Sequence, residues 1–285
     1  MCAIMKKTQP ANGERKGKRM ALMHVDFFSR VLGMCMNMDV ILPENTQGLI
    51  GMGGKAEETF PTLYLLHGMS DDHTIWQRRT NIERYVADKN LAVVMPSTHL
   101  AWYTDTTYGL DYLTYISDEL PRICRSFFRG MSDKREDTFI AGLSMGGYGA
   151  WKAALTHPET FSHAASLSGA LDMVGRMAQR KTLGSKASEA YWQGIFGDLD
   201  KLENSPHDLY HLAQNCKKAG VMPRLYQCCG TEDALMVLNT GIREKVRALG
   251  FDLTYEEGPG DHNWAFWDEY IRNVLDWLPL DKANP

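Results

Sequence analysis

Apolar and polar positions along the chain fall into two rhythms, short apolar runs and longer stretches of helical spacing. Ala21 to Ser29 and Met34 to Leu42 read as two antiparallel strands joined near Leu32-Gly33. Thr62 to Leu66 is a short apolar run ending at His67-Gly68, and it reads as a buried strand. Leu91 to Met95, closed by Pro96, is another. Further strands are expected over Thr138 to Ala141, Ser162 to Leu167, Leu225 to Cys229 and Leu253 to Glu256. Helical spacing covers Ile75 to Lys89, Tyr112 to Phe128, Gly147 to Leu155, Leu235 to Leu249, and Asn263 to Trp277, which Pro279 ends. Pro121 should kink or interrupt the second of these. Strands that alternate with helices after an antiparallel start predict an α/β fold. Its sheet is mostly parallel, with antiparallel first strands and helices on both faces.

Two stretches depart from the rhythm. Pro43 to Lys55 is glycine-rich and reads as an exposed loop. Between Leu171 and Gly220 the pattern changes, with no clear strand, mixed charges, and Tyr191, Trp192 and Phe196 close together. That segment, about 171–220, sits where a cap or lid would be inserted; a surface excursion packing its own aromatics is the alternative. Residues 1–19 are basic, hold Pro10, Gly13 and Gly17, and read as a disordered extension, so 20–285 form a single domain. They lack the apolar core of a signal peptide.

With 285 residues the chain can bury a core large enough to shelter a site. Its formal net charge of −4 argues against nucleic acid or an anionic membrane as partner. No apolar run is long enough to span a membrane. None of the six cysteines forms a C-x-x-C pair, so reduced thiols and a cytoplasmic location are expected. No His/Cys spacing suggests zinc, and no metal is expected.

The chemistry is concentrated at Gly142-Leu143-Ser144-Met145-Gly146. This G-x-S-x-G run stands between a strand and a helix, the setting of a nucleophile elbow, and predicts a serine hydrolase of the α/β-hydrolase type. A serine hydroxyl needs a base, and the base needs an acid to hold its tautomer. In this fold the acid and then the base follow the serine along the chain. His262, in the loop after the last strand, is the candidate base. Asp233, after Leu225 to Cys229, is the candidate acid, although it would also suit the N-cap of the next helix. Glu232 is adjacent, Asp172 is a weaker competitor, and Asp261 lies too close to His262 in sequence.

The other histidines have plainer readings. His157 is a capping or surface residue, His163 lies inside a strand, and His207 and His211 are expected to be solvated on a polar helical stretch. The oxyanion donors should be the backbone N–H of Met145 and that of Met69, with Gly68 letting the backbone approach the substrate. His67 reads as structural. Asp71-Asp72-His73 reads as a turn or helix start. Trp76, Trp102 and Tyr103 are open to two readings, pocket wall or core, and Gly68 and Trp76 are the substrate-binding candidates.

On these residues the chain resembles the esterase D family, its bacterial tributyrin-esterase branch in particular. Four segments carry the resemblance in order: Leu65 to Trp76, Gly142 to Ala150, Cys229 to Asp233 and Gly260 to Trp264. It implies an enzyme that cuts short-chain acyl esters of small molecules through an acyl-enzyme, without a cofactor. It also carries the nucleophile, acid and base onto Ser144, Asp233 and His262, and the oxyanion donors onto Met69 and Met145. Related activities are those of S-formylglutathione hydrolases, feruloyl esterases, carbohydrate acetyl esterases and mycolyl transferases. His67-Gly68, where formylglutathione hydrolases tend to carry Ser-Gly, places the chain nearer the bacterial esterases. A homo-oligomer is compatible with this reading.

Overall fold

A computed structural model describes residues 21–43, 57–183 and 187–280. The expected extension over 1–19 and most of the glycine-rich loop lie outside these residues. Strands β1 (Ala21–Ser29) and β2 (Met34–Leu42) form an antiparallel hairpin with Ala21 opposite Leu42. Gly33, at φ 66°, makes the turn. Buried Glu119 holds this turn from outside by accepting from the Arg30 and Val31 N–H groups.

The chain continues through β3 (Thr62–Leu66), the short helices α1 (Ile75–Arg79) and α2 (Ile82–Val86), and β4 (Ala92–Pro96). One helix was expected where α1 and α2 stand. Thr80 separates them: its backbone is extended, and its hydroxyl donates to the Trp76 carbonyl and accepts from the Ile82 N–H. A β-branched hydroxyl competing for backbone groups ends the first helix.

Next come α3 (Tyr112–Thr114), a π-helical turn over Tyr115–Glu119, and α4 (Leu120–Phe127). Pro121 falls at the start of α4, where a missing N–H is least costly, and the widened turn before it takes up the mismatch. The remainder alternates as expected. Strand β5 (Thr138–Leu143) leads into α5 (Met145–Thr156), and β6 (His163–Leu167) follows. Then come α6 (Met173–Leu183), α7 (Glu189–Phe196) and α8 (Leu209–Ala219). Strand β7 (Arg224–Gly230), α9 (Met236–Ala248), β8 (Leu253–Gly258) and α10 (Trp264–Trp277) close the fold.

The eight strands lie in the order β1-β2-β4-β3-β5-β6-β7-β8, parallel from β4 onward. Alternate residues on each central strand serve opposite cores, as a two-residue repeat requires. Leu63, Leu65, Phe139 and Ala141 join α1, α2 and α10 on one face; Tyr64, Leu66 and Ile140 join α4, α5 and α8 on the other. The carboxyl ends of β3, β5, β7 and β8 therefore open on one edge, where an α/β sheet places its chemistry. No helix among the described residues is long and apolar enough to cross a membrane.

Candidate active site

Ser144 is the single residue between β5 and α5. Its backbone stands at φ 53°, ψ −115°, a conformation L-residues seldom adopt. The neighbours over-determine it: Ser144 N–H donates to the Leu167 carbonyl, and its own carbonyl accepts from Tyr148 and Ala170. The two motif glycines matter because backbones meet there. A Cβ on Gly142 would stand 2.4 Å from the Gly146 carbonyl oxygen, and one on Gly146 would stand 2.6 Å from that of His67.

The tertiary fold brings three sequence-distant side chains into line. Ser144 Oγ is 2.9 Å from His262 Nε2, and His262 Nδ1 is 2.8 Å from Asp233 Oδ2. The carboxylate accepts a hydrogen bond from Nδ1–H, which leaves Nε2 as acceptor for the serine hydroxyl. The two oxygens of Asp233 have separate partners: Oδ2 meets His262, and Oδ1 accepts from the Leu235 N–H just ahead of α9, whose N-cap is Leu235 itself. Burial works to raise its pKa, but the bonds from His262 and Leu235 outweigh it and hold the carboxyl below its ordinary value.

The base loop is tied at both ends. Glu232 donates its N–H to the Gly260 carbonyl, and its carboxylate accepts from the Gly260 N–H. On the far side, the Asn263 side chain caps α10 by accepting from Ala265 and Phe266. The His262 and Trp267 rings stand perpendicular, their centroids 4.9 Å apart. Glu232, met in the sequence only as the neighbour of Asp233, is thus the clamp between the turn carrying Asp233 and the loop carrying His262. Asp261 accepts from the His262 N–H, and Asp172 from the Gly175 N–H at the start of α6; neither reaches the imidazole.

Opposite the serine, Gly68 packs so closely on β5 that a Cβ would lie 2.5 Å from Leu143 Cδ1. Met145 N–H is the first of α5 and, like every helix-start amide, has no acceptor within its helix. The loop carrying Met69 is pinned by His67. Thr98 N–H donates to His67 Nε2 at 3.0 Å, so the proton sits on Nδ1, which donates to the Gly68 carbonyl at 2.7 Å. Burial pushes the His67 pKa down to about 4, which keeps it neutral in this role. Tyr103 Oη adds a bond to the His67 carbonyl.

Trp76 is 1% exposed, packs edge-on against Trp264 and donates to the Leu66 carbonyl. It supports the end of β3 from within the core, which corrects its reading as a substrate-binding residue. Trp102 and Tyr103 are buried as well. Both have positive φ, as does His99, so the loop after β4 is held in a strained path. The Asp71-Asp72-His73 run begins α1: Asp72 accepts from the Thr74 N–H and hydroxyl. Among the described residues no three His, Cys, Asp or Glu side chains are grouped to hold a metal ion.

His207 corrects a second expectation. It stands in a turn before α8, half-buried against Phe196, with Nδ1 3.0 Å from Lys152 Nζ. Lys152 is the one charged residue of α5 and is 1% exposed. Its place inside the apolar run Ala150-Trp151-Lys152-Ala153-Ala154 was the available signal of a buried charge. Above it, Trp192 and Phe196 of α7 pack on Trp102 and Tyr148, and a cleft of about 310 Å³ opens between Leu100, Tyr112 and Tyr191.

Comparison with known proteins gives the family. The Esterase family model matches residues 29–278. An acetyl esterase of Caldicellulosiruptor saccharolyticus is 33% identical over 263 residues, 91% of this chain and 98% of that protein. Two solved structures from Staphylococcus aureus are each 34% identical and cover 91% of this chain. One is the substrate-bound fluorophosphonate-binding serine hydrolase FphF, with a TM-score of 0.80 over 98% of its length. The other is the S-formylglutathione hydrolase FrmB, with a TM-score of 0.78 over 99%. A strained serine elbow at the sheet edge and a match along most of the chain lead to one assignment: this chain belongs to the Esterase family, as an α/β-hydrolase of the esterase D type that hydrolyses carboxylic esters.

Proposed function

We propose that Ser144, His262 and Asp233 form the catalytic triad of a serine esterase acting on short acyl esters of small molecules. The observation that carries this reading is the continuous hydrogen-bond chain from Ser144 Oγ through His262 to Asp233. Ser144 Oγ attacks the ester carbonyl while His262 Nε2 takes its proton, and Asp233 stabilises the imidazolium. The carbonyl oxygen, now negative, lies against the Met145 and Met69 N–H groups. As the C–O bond breaks, His262 returns its proton to the departing alcohol. Water then attacks the acyl-enzyme, His262 takes the water's proton, and Ser144 leaves with it as the acid is released.

The preference for short acyl groups follows the acetyl esterase relative. The S-formylglutathione hydrolase neighbour favours a second substrate, a small thioester cut by the same steps. We read residues 171–220 as a cap on a single hydrolase domain, because α6 leaves the edge beside Ser144 and α7 covers Trp102. The free, mostly buried cysteines suit a reducing, cytoplasmic setting. A fluorophosphonate should label the enzyme once, on Ser144 by peptide mass, and Ser144→Ala should lose both labelling and ester turnover. Labelling elsewhere, or turnover kept in Ser144→Ala, overturns the reading.

A further inference from the structure

Arg176 stands one turn into α6. Its guanidinium lies 5.5 Å from the Trp102 ring centroid and 5.9 Å from that of Trp192. Trp102 in turn packs on Tyr148, one turn beyond Ser144 on α5. The segment leading into α6 touches the nucleophile directly, since the Ala170 N–H donates to the Ser144 carbonyl. Arg176 therefore covers the aromatic layer that lies on the nucleophile's own helix.

A guanidinium presents five donors in a fork shaped for a carboxylate. Among the described residues, that of Arg176 has ring contacts but no ion pair and no side-chain hydrogen bond. Asp172, four residues earlier, is the natural helical partner. Its carboxylate is instead folded back on the Gly175 N–H at 2.8 Å. The nearby Tyr191 hydroxyl is also engaged, donating to the Leu100 carbonyl and accepting from Trp102 Nε1. Burial disfavours the charged form of Arg176 and pulls its pKa down, and only Tyr191 works against that shift. Lys152, the buried amine of α5, is turned toward Thr104 and His207. One unopposed fork suits a monoanion.

We propose that Arg176 is a specificity-determining residue that receives a carboxylate borne by the substrate, so that the preferred esters carry a carboxylate as well as the scissile bond. This rests on the proposed esterase reading of Ser144. The carboxylate can belong to the acyl group or to the alcohol, and two pairs of esters separate these sources. The acyl pair is p-nitrophenyl hemisuccinate against p-nitrophenyl butyrate. The alcohol pair is acetoxyacetate against methyl acetoxyacetate, followed by pH-stat.

In the wild type, kcat/KM for the anionic member should exceed or match that of the neutral one in at least one pair. In Arg176→Met the anionic-to-neutral ratio in that pair should fall tenfold or more, through KM. Arg176→Lys should restore part of it, and added salt should weaken the wild-type preference. A packing role alone would lower both members alike and leave the ratio unchanged. Ratios within twofold across the variants in both pairs overturn the proposal. Wild-type inactivity toward all four esters would instead overturn the Ser144 reading, and this proposal with it.

Discussion

Replacing Lys152 with methionine should change how stability depends on pH. The Lys152 amine is enclosed by Thr104 and Asp105 from the loop after β4, His207 from the turn before α8, and Tyr148 on its own helix. Nζ donates to Thr104 Oγ1 and lies 3.0 Å from His207 Nδ1; no carboxylate pairs with it. Desolvation pulls its pKa from 10.5 down to about 7, with the more distant Asp105 working against the shift. Below pH 7 the amine is charged in both folded and unfolded chains. Between about 7 and 10.5 the folded chain has released that proton and the unfolded chain keeps it. Unfolding then takes up a proton, so stability rises with pH across this window.

From pH 6 to pH 9 one such group contributes about 3 kcal/mol of added stability. Methionine fills similar space and does not titrate. It leaves His207 Nδ1 without its partner, a loss of about 1–3 kcal/mol that applies at every pH. The assay is urea unfolding of both proteins from pH 6 to 9. The wild-type-minus-variant difference should grow by about 3 kcal/mol over that range. Buried Cys124, Cys216 and Cys229, whose pKa values are pushed up, tilt both curves the other way near pH 9 and cancel in the difference. A difference constant to within about 1 kcal/mol would refute the picture of a lysine that sheds its proton on folding.

Other perturbations probe the site itself. Asp233→Asn should keep an acceptor for the Leu235 N–H, so Tm changes little, while kcat falls on the order of 10⁴-fold because the imidazole tautomer is no longer set. Glu232→Ala removes the carboxylate that holds Gly260; kcat should fall roughly ten- to a hundredfold through misplacement of His262, with KM little changed. Gly146→Ala forces a Cβ to 2.6 Å from the His67 carbonyl and 2.7 Å from that of Leu66. Thermal and urea melts should show a loss of about 1–3 kcal/mol, with reduced esterase activity in the folded fraction. Unchanged activity and stability in that variant would sink the close-approach account of the motif glycine.

Much of this site was legible because its parts are local. A strand, a sharp turn and a helix around Ser144 are written in a dozen consecutive residues, and the hairpin β1–β2 in another two dozen. Chain order then pointed to Asp233 and His262, which the fold brings within hydrogen-bond distance. The misread elements failed for physical reasons. Helical spacing over Ile75 to Lys89 could not reveal that the Thr80 hydroxyl would capture the backbone, because that contest is decided by local geometry. Polar neighbours made His207 look solvated, yet Phe196 and Lys152 enclose it from elements 11 and 55 residues away. Trp76 had the size of a pocket wall, and only packing against Trp264 shows that it faces inward.

The division follows from range. Periodicity, turn residues and the serine motif are short-range properties, so the sequence by itself determined the α/β alternation and the elbow, and it pointed to Asp233 and His262 as candidates. Burial and pairing are sums over residues far apart in the chain. Only the tertiary structure decided that Glu232 clamps the loop carrying His262, that His67 is a neutral strut, that Lys152 is enclosed without a counterion, and that Arg176 lies over Trp102 and Trp192 without one. A side chain's charge is written in the sequence; what opposes that charge depends on which distant groups the fold brings against it.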